Sequence, residues 1–430
     1  MPMNTNAVLN RLQDQAVRDQ SYLESCLHDF GEVSHLRDDC EDPPENPMMD
    51  KFLIDLGSEG IRSMTNFTVT EFESLWAMVD DAMNTAWMEG RGRRSTTSPK
   101  DALFMALTVL KHFSTWEKHA ADFGYKAPTF EKLIMRVLHA VQPVLYGELI
   151  RVPSMSDLSN SDRRFDHFTF ALYAVDVKFQ PAQRPTGRFA EQKHYFSGKH
   201  HLYGYKIEAS VSPEGRCVAI SESFPGSVHD LTILHTRTAI HETNLLKSAG
   251  EQDVPDYGEL STQYQGSWAC LVDMGHIGIA HSLRGIHPKR RPVHGVLDAH
   301  DMDRNHDISS DRVVVENFFG RVYTLWKISL ATYTWGEKNY NTIQRTKFAL
   351  TNFHLSLMPL RAEDEGFYRS VIARYEQMAN EKKRKRSEAQ RRYRLNRQER
   401  LSIDSNRATR YPSPSMNRSN SNYSMMDEYY

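Results

Sequence analysis

Two apolar segments that each end on an aspartate constrain this chain more than any other feature. The first, Phe168-Thr169-Phe170-Ala171-Leu172-Tyr173-Ala174-Val175-Asp176, is rich in aromatic and apolar residues, and Trp268-Ala269-Cys270-Leu271-Val272-Asp273 is of the same kind. Runs of this length and composition suit strands buried on both faces, which must be covered by helices. Between them, residues 202–211 and 216–224 flank the turn Pro213-Glu214-Gly215 and read as a hairpin. Ser227 can cap a helix over 228–235, and the polar residues 241–266 read as a loop or insertion. The order strand, hairpin, helix, strand, helix makes the fold an α/β layer around a mixed sheet.

The last helix of that order lies in residues 305–327. Val315, Phe318, Phe319 and Val322 fall at i, i+3, i+4 and i+7 and make one apolar face, with Ser310 or Asp311 as its N-cap. Arg312 and Glu316 are four apart and share a different face. This holds one carboxylate on a rigid support beside an arginine; an ordinary surface ion pair has the same spacing.

The flanks differ in character. Residues 1–60 are polar and acidic and read as a disordered leader. Residues 61–150 carry helix signals: a capping box at Thr68-Val69-Thr70-Glu71, Ser98 before Pro99, a second box at Ser114-Thr115-Trp116-Glu117 stopped by Gly124, and an apolar face of Phe130, Leu133, Ile134, Val137 and Leu138. Two short helices joined across Gly124 resemble a helix-turn-helix; a helical bundle with no role on DNA fits the same pattern, and both readings stand. The α/β region spans 165–360, and 361–430 reads as a basic, largely disordered tail. Within it, Lys382, Lys383 and Arg384 open a run that suits nucleic-acid contact or nuclear import.

Composition narrows the function classes. The 430 residues hold 53 basic and 55 acidic side chains, a net charge of −2, so a nucleic-acid partner must be met by local patches. Cys26, Cys40, Cys217 and Cys270 are far apart with no CxxC pair, and none of the 19 histidines forms an HxxxH motif, which argues against a zinc site and for a reducing compartment. No long apolar run points to a membrane.

Asp176 and Asp273 at strand ends and Glu316 on a helix stand where an open sheet binds ligands. Clustered carboxylates are costly to ionise unless cations join them, and oxygen-only donors suit Mg²⁺ or Mn²⁺. Two such ions serve phosphoryl transfer.

The chain resembles the Harbinger-type transposases of the DDE superfamily. The matching pieces are Ala174-Val175-Asp176, Lys193 to His200, Phe224-Pro225-Gly226-Ser227-Val228-His229-Asp230, Leu271-Val272-Asp273-Met274-Gly275-His276, and Arg312 to Glu316. The resemblance implies a ribonuclease H-like sheet flanked by helices and a metal-dependent nuclease or transposase acting on DNA, and the basic run from Lys382 makes the nucleus the expected location. It implies that Asp176, Asp273 and Glu316 hold divalent metal. Asp230 is a fourth ligand or a structural carboxylate in the first turn of its helix. His229 and Arg312 are supporting residues, and Lys193 and Lys199 are candidates for phosphate contact. The expected partners are DNA, a separate DNA-binding protein, and further copies of the chain assembled on DNA, with no membrane. Two positions depart from the family: Val177 replaces a small residue, and His276 replaces an aromatic. They motivate the alternative of a domesticated relative that binds DNA, or serves as a scaffold, without cutting.

Overall fold

In the computed structural model the described residues are 17, 18, 20, 21, 45–89, 95–292, 295–360 and 365–408. The chain divides into a unit over residues 1–47 and one over 48–430, and the architecture below is that of the second.

Five helices come first: α1 (Pro47–Thr65), α2 (Val69–Met88), α3 (Pro99–His112), α4 (Trp116–Asp122) and α5 (Ala127–Leu149). The start of α2 is the capping box expected from sequence, with Thr68 accepting from Glu71 N and Glu71 from Thr68 N. Ser98 caps α3 and Pro99 opens it, also as expected. The N-cap of α4 is Thr115 instead of Ser114. Asp101 on α3 accepts from Met48 N and Met49 N at 3.0 and 2.9 Å, so its side chain satisfies the first turn of α1. A short helix α6 (Met155–Asn160) leads to the sheet.

The sheet has seven strands: β1 (Ala171–Pro181), β2 (Phe196–Ser197), β3 (Leu202–Val211), β4 (Cys217–Ile220), β5 (Phe224–Pro225), β6 (Ala269–Leu271) and β7 (Gly285–Ile286). Its order is β2-β3-β1-β6-β7, with β4 and β5 also paired to β3. The β1, β6 and β7 neighbours are parallel, and every pair made by β3 is antiparallel. This mixed sheet is consistent with the expected ribonuclease H-like arrangement. Helix α7 (Phe189–His194) lies between β1 and β2, while α8 (Asp230–Thr236) and α9 (Thr238–Leu245) follow β5. The second of these occupies part of the stretch that reads as a loop in sequence.

Side chains on a strand alternate, so the sheet builds two cores. Ala174 on β1 and Ile207, Ala209 and Val211 on β3 join a core with Val315, Phe318 and Phe319. Tyr173, Val175, Cys270 and Val272 join a second core with Leu234 and Leu245. The first core is continued by α10 (Ala299–Leu325) and α11 (Tyr340–Leu357), and it takes in Phe72, Leu103, Phe130 and Val137 from the N-terminal helices. Helix α10 starts at an Asp298 cap, well before Ser310 and Asp311. Asp311 is instead buried inside it and accepts from Phe168 N at 2.9 Å, tying the entrance of β1 to the helix.

The last element, α12 (Glu365–Ala408), lies in the stretch that sequence reads as a largely disordered tail. Its Tyr368 is buried against Gly320 of α10, where an added Cβ would stand 2.7 Å from the tyrosine. Arg321 Nε donates to Tyr368 Oη at 2.5 Å, and Arg321 Nη1 to Met358 O at 2.9 Å. No helix among the described residues is long and apolar enough to cross a membrane.

Candidate active site

Asp176 stands in the middle of β1, not at its end, at the level where its parallel neighbour β6 stops. Asp273 follows β6 by two residues and opens a 3-10 turn over Met274–His276. The face of β1 that carries Asp176 is the one covered by α10, which brings Arg312 and Glu316 over the sheet. Asp230 starts α8 on the other face. These elements meet around one cleft of about 870 Å³, and Asp176, Asp230, Asp273, Arg312 and Glu316 all line it.

Within the cleft the protein supplies its own counter-ions. Lys178 Nζ lies 2.8 Å from Asp176 Oδ2, Lys206 Nζ 2.8 Å from Asp230 Oδ1, and Arg312 Nη1 3.3 Å from Asp273 Oδ1. Arg312 therefore turns toward Asp273, and among the described residues no ion pair joins it to Glu316. Burial opposes ionisation of Asp176, but Lys178 and Arg312 outweigh it and hold the carboxyl below its ordinary value. Burial likewise opposes the charge of Lys178, and Asp176 more than restores it. Lys178 also lies over the Phe319 ring, 5.2 Å from its centroid.

The remaining sequence candidates are spread wider. Lys199 lines the cleft. Lys193 and His229 are exposed and do not line it, His229 serving as backbone cap of α8. Arg384 lies on α12 within 3.7 Å of Glu388. Lys382 and Lys383 lie on the same helix, with their side chains outside the described residues.

Several residues of the cleft escape a reading by motif. Lys178 has a signal, since residues two apart on a strand share a face. Behind the cleft, Lys206, Glu208 and Ser210 have one too: polar side chains, themselves buried, at every second position of β3. Also lining the cleft, Phe179 stacks on His200 at 4.6 Å and 5°, and Arg184 lies over the Tyr203 ring at 5.6 Å. Ile372 and Asn380 of α12 complete the wall.

His276 is the least expected member. It lines the cleft yet is only 1% exposed, and both ring nitrogens are buried with no hydrogen-bond partner among the described residues. Burial lowers its pKa against the opposing pull of Glu208, Asp230, Asp176 and Asp273, which favours the neutral ring. A buried polar group left unpaired costs roughly 1–3 kcal/mol, so the imidazole is poised for a ligand.

The donor chemistry fits a divalent cation. Four carboxylates and an orphaned imidazole face one cleft, and a doubly charged ion can compete with Lys178 and Arg312 for the same oxygens. Among the described residues, the set whose ligand atoms already lie within 4.8 Å of one another is the surface group Asp298, His300 and Asp301 on α10. Cleft loading therefore requires the ion pairs to open.

Residues 175–352 match the family model of the DDE superfamily endonucleases. The matched segment of this DDE-type region holds all four cleft carboxylates, and it supports a nuclease or transposase of that superfamily. No curated protein and no solved structure matches the chain.

Proposed function

We propose that the DDE-type cleft binds DNA and cuts a phosphodiester bond with the help of divalent metal. The observation that carries this reading is the convergence of Asp176, Asp230, Asp273 and Glu316 on one cleft inside the matched segment. Asp176, Asp273 and Glu316, with Asp230, would hold Mg²⁺ or Mn²⁺. When bound, such ions supply positive charge at the attacking and leaving oxygens of phosphoryl transfer.

The chain's own residues prepare the rest. Asp176 stays ionised because Lys178 and Arg312 oppose its protonation. Once released from their carboxylates, Lys178 and Arg312 are cations set beside a phosphate, and the arginine fork can take two of its oxygens. Lys199 and Arg184 border the cleft as further phosphate contacts, while Phe179, His200 and Tyr203 give an aromatic wall for sugar or base. The reacting oxygen is that of water or of a DNA 3′-hydroxyl; its proton passes to solvent as the new bond to phosphorus forms, and the departing oxygen takes a proton from solvent and leaves as a hydroxyl as its own bond to phosphorus breaks.

The Pro225-to-Asp230 and Arg312-to-Glu316 motifs support the Harbinger subtype. In the same reading the helices over 61–150 contact DNA, the Lys382–Arg386 run directs the chain to the nucleus, and copies of the chain assemble on DNA with a separate DNA-binding protein. Phosphate contacts of the basic helix would make affinity fall with salt.

A second reading has its own observation. Three cleft aspartates are already paired with lysine or arginine, which leaves fewer free oxygens for a cation and suits a protein that binds DNA without cutting it. Supercoiled plasmid incubated with purified protein and Mg²⁺, Mn²⁺ or EDTA separates the two. Cutting should need the metal and disappear in Asp176→Asn and Glu316→Gln while DNA affinity stays within about twofold. Cutting that survives Asp176→Asn rules out the catalytic assignment, and binding without cutting under any ion selects the second reading.

A further inference from the structure

His276 and Glu208 are two buried groups with unpartnered polar atoms that the set of four carboxylates does not include. Glu208 sits on β3, register partner of Val177, and is fully buried. Its Oε1 accepts from His241 Nε2 at 2.9 Å and from Arg237 Nη1, and His241 Nδ1 in turn lies 2.9 Å from Tyr173 Oη. Glu208 Oε2 is buried with no partner among the described residues. Glu208 is the first of the carboxylates that pull electrostatically on His276. An imidazole with two unpartnered nitrogens thus lines the acidic cleft, and a buried carboxylate with one unpartnered oxygen acts on it electrostatically.

Resting on the metal reading above, we propose that His276 is a nitrogen ligand of the cleft's divalent ion, with Glu208 as the carboxylate that orients it, and that this gives the site a preference for Mn²⁺ and Co²⁺ over Mg²⁺. Metal-bound histidines almost always donate their second ring N–H to a carboxylate, carbonyl or water, which fixes the tautomer and raises the basicity of the bound nitrogen. Glu208 Oε2, unpartnered and not hydrogen-bonded to His276 in this structure, is the oxygen that would accept that bond once the ion is held. Imidazole is a poor ligand for Mg²⁺ and a good one for later divalent metals, so one nitrogen in a ring of carboxylates tilts selectivity. Arg237 and His241 hold Glu208 from behind, which makes it a positioning residue; His276 is the contact with the ion.

The test uses full-length protein and reads metal binding, not cleavage. Pulsed electron paramagnetic resonance of the Mn²⁺-loaded wild type should show coupling to a ¹⁴N nucleus, a readout that needs no variant. In calorimetry, His276→Gln should weaken Mn²⁺ and Co²⁺ by about 10–100-fold, the range seen when metal-site shells are disrupted, and Mg²⁺ by less than about threefold. Glu208→Gln should weaken Mn²⁺ in the same direction while the ¹⁴N coupling persists. Absence of nitrogen coupling in Mn²⁺-loaded wild type, or equal losses for Mg²⁺ and Mn²⁺ in His276→Gln, overturns the ligand assignment and leaves the carboxylate reading standing. Wild type that binds none of the three ions overturns both.

Discussion

Lys178 lies two residues beyond Asp176 on β1, so the strand itself presents the acid and its counter-ion on one face. The pair makes Lys178 a competitor of any cation that enters. Lys178→Ala should therefore tighten Mn²⁺ binding by roughly tenfold, the equivalent of one pKa unit of charge interaction, as read by calorimetry. Unchanged or weaker binding would show that the lysine does not compete. A second residue-scale prediction concerns Asp256, which accepts from Lys247 at 2.9 Å and from Arg284 through both carboxylate oxygens. Burial pushes its pKa up, but the hydrogen bonds from Arg284 and Lys247 prevail and bring it from 3.8 to about 2. Because the folded value is depressed, its contribution to stability is fully present above the ordinary value of 3.8 and is lost as pH falls toward about 2. Urea unfolding should find Asp256→Asn clearly less stable than wild type at pH 6, with the gap narrowing below about pH 4. A gap that is constant with pH would remove the ionic explanation.

Among the elements, α12 is the one whose place could not be inferred from its composition. Its charged residues say only that it is solvated; its docking depends on Tyr368 meeting a bare backbone at Gly320 and the guanidinium of Arg321. That contact sets Ile372 and Asn380 into the wall of the cleft. Gly320→Leu should push Tyr368 away and raise amide hydrogen exchange across 365–380 by at least about tenfold, while β1 and β3 remain protected. Equal protection of α12 in both proteins would mean that Tyr368 is not its anchor. Helix α10 teaches a related point. Its apolar spacing over Val315–Val322 was readable, but its start was not, because residues 299–314 are polar and carry no 3.6-residue apolar stripe. The expected cap Asp311 has a tertiary role, gripping the backbone of His167 and Phe168.

Across the whole molecule the helical region and the sheet share one apolar core, although sequence suggests separate regions at 61–150 and 165–360. Phe67 is fully buried, 5.5 Å from the Phe353 ring and 6.3 Å from Trp326. Asn66 Nδ2 donates to Leu325 O at 2.6 Å, and Asn352 joins Leu149 O to both the N–H and the carbonyl of Cys217. Phe67→Ala should cost about 3–5 kcal/mol. Within each protein, far-UV circular dichroism and tryptophan fluorescence should give coincident unfolding midpoints, the variant's lying lower, since helices and sheet lose one core together. Two separated transitions would show that the regions fold independently.

The sequence alone determined the element types of the sheet and of the capped helices, though not of α9 or α12, and it marked the acidic set. Alternation, helical spacing and caps are local, and Asp176, Asp230, Asp273 and Glu316 are marked by their motifs. Only the tertiary structure decided what surrounds those carboxylates. Lys206 is distant from Asp230 along the chain but pairs with it across the fold, and Glu208 on β3 acts electrostatically on His276 in the turn after β6. Whether a charge is paired, orphaned or solvated depends on which elements meet, and those meetings are fixed by strand order and helix packing over distances that no local pattern encodes.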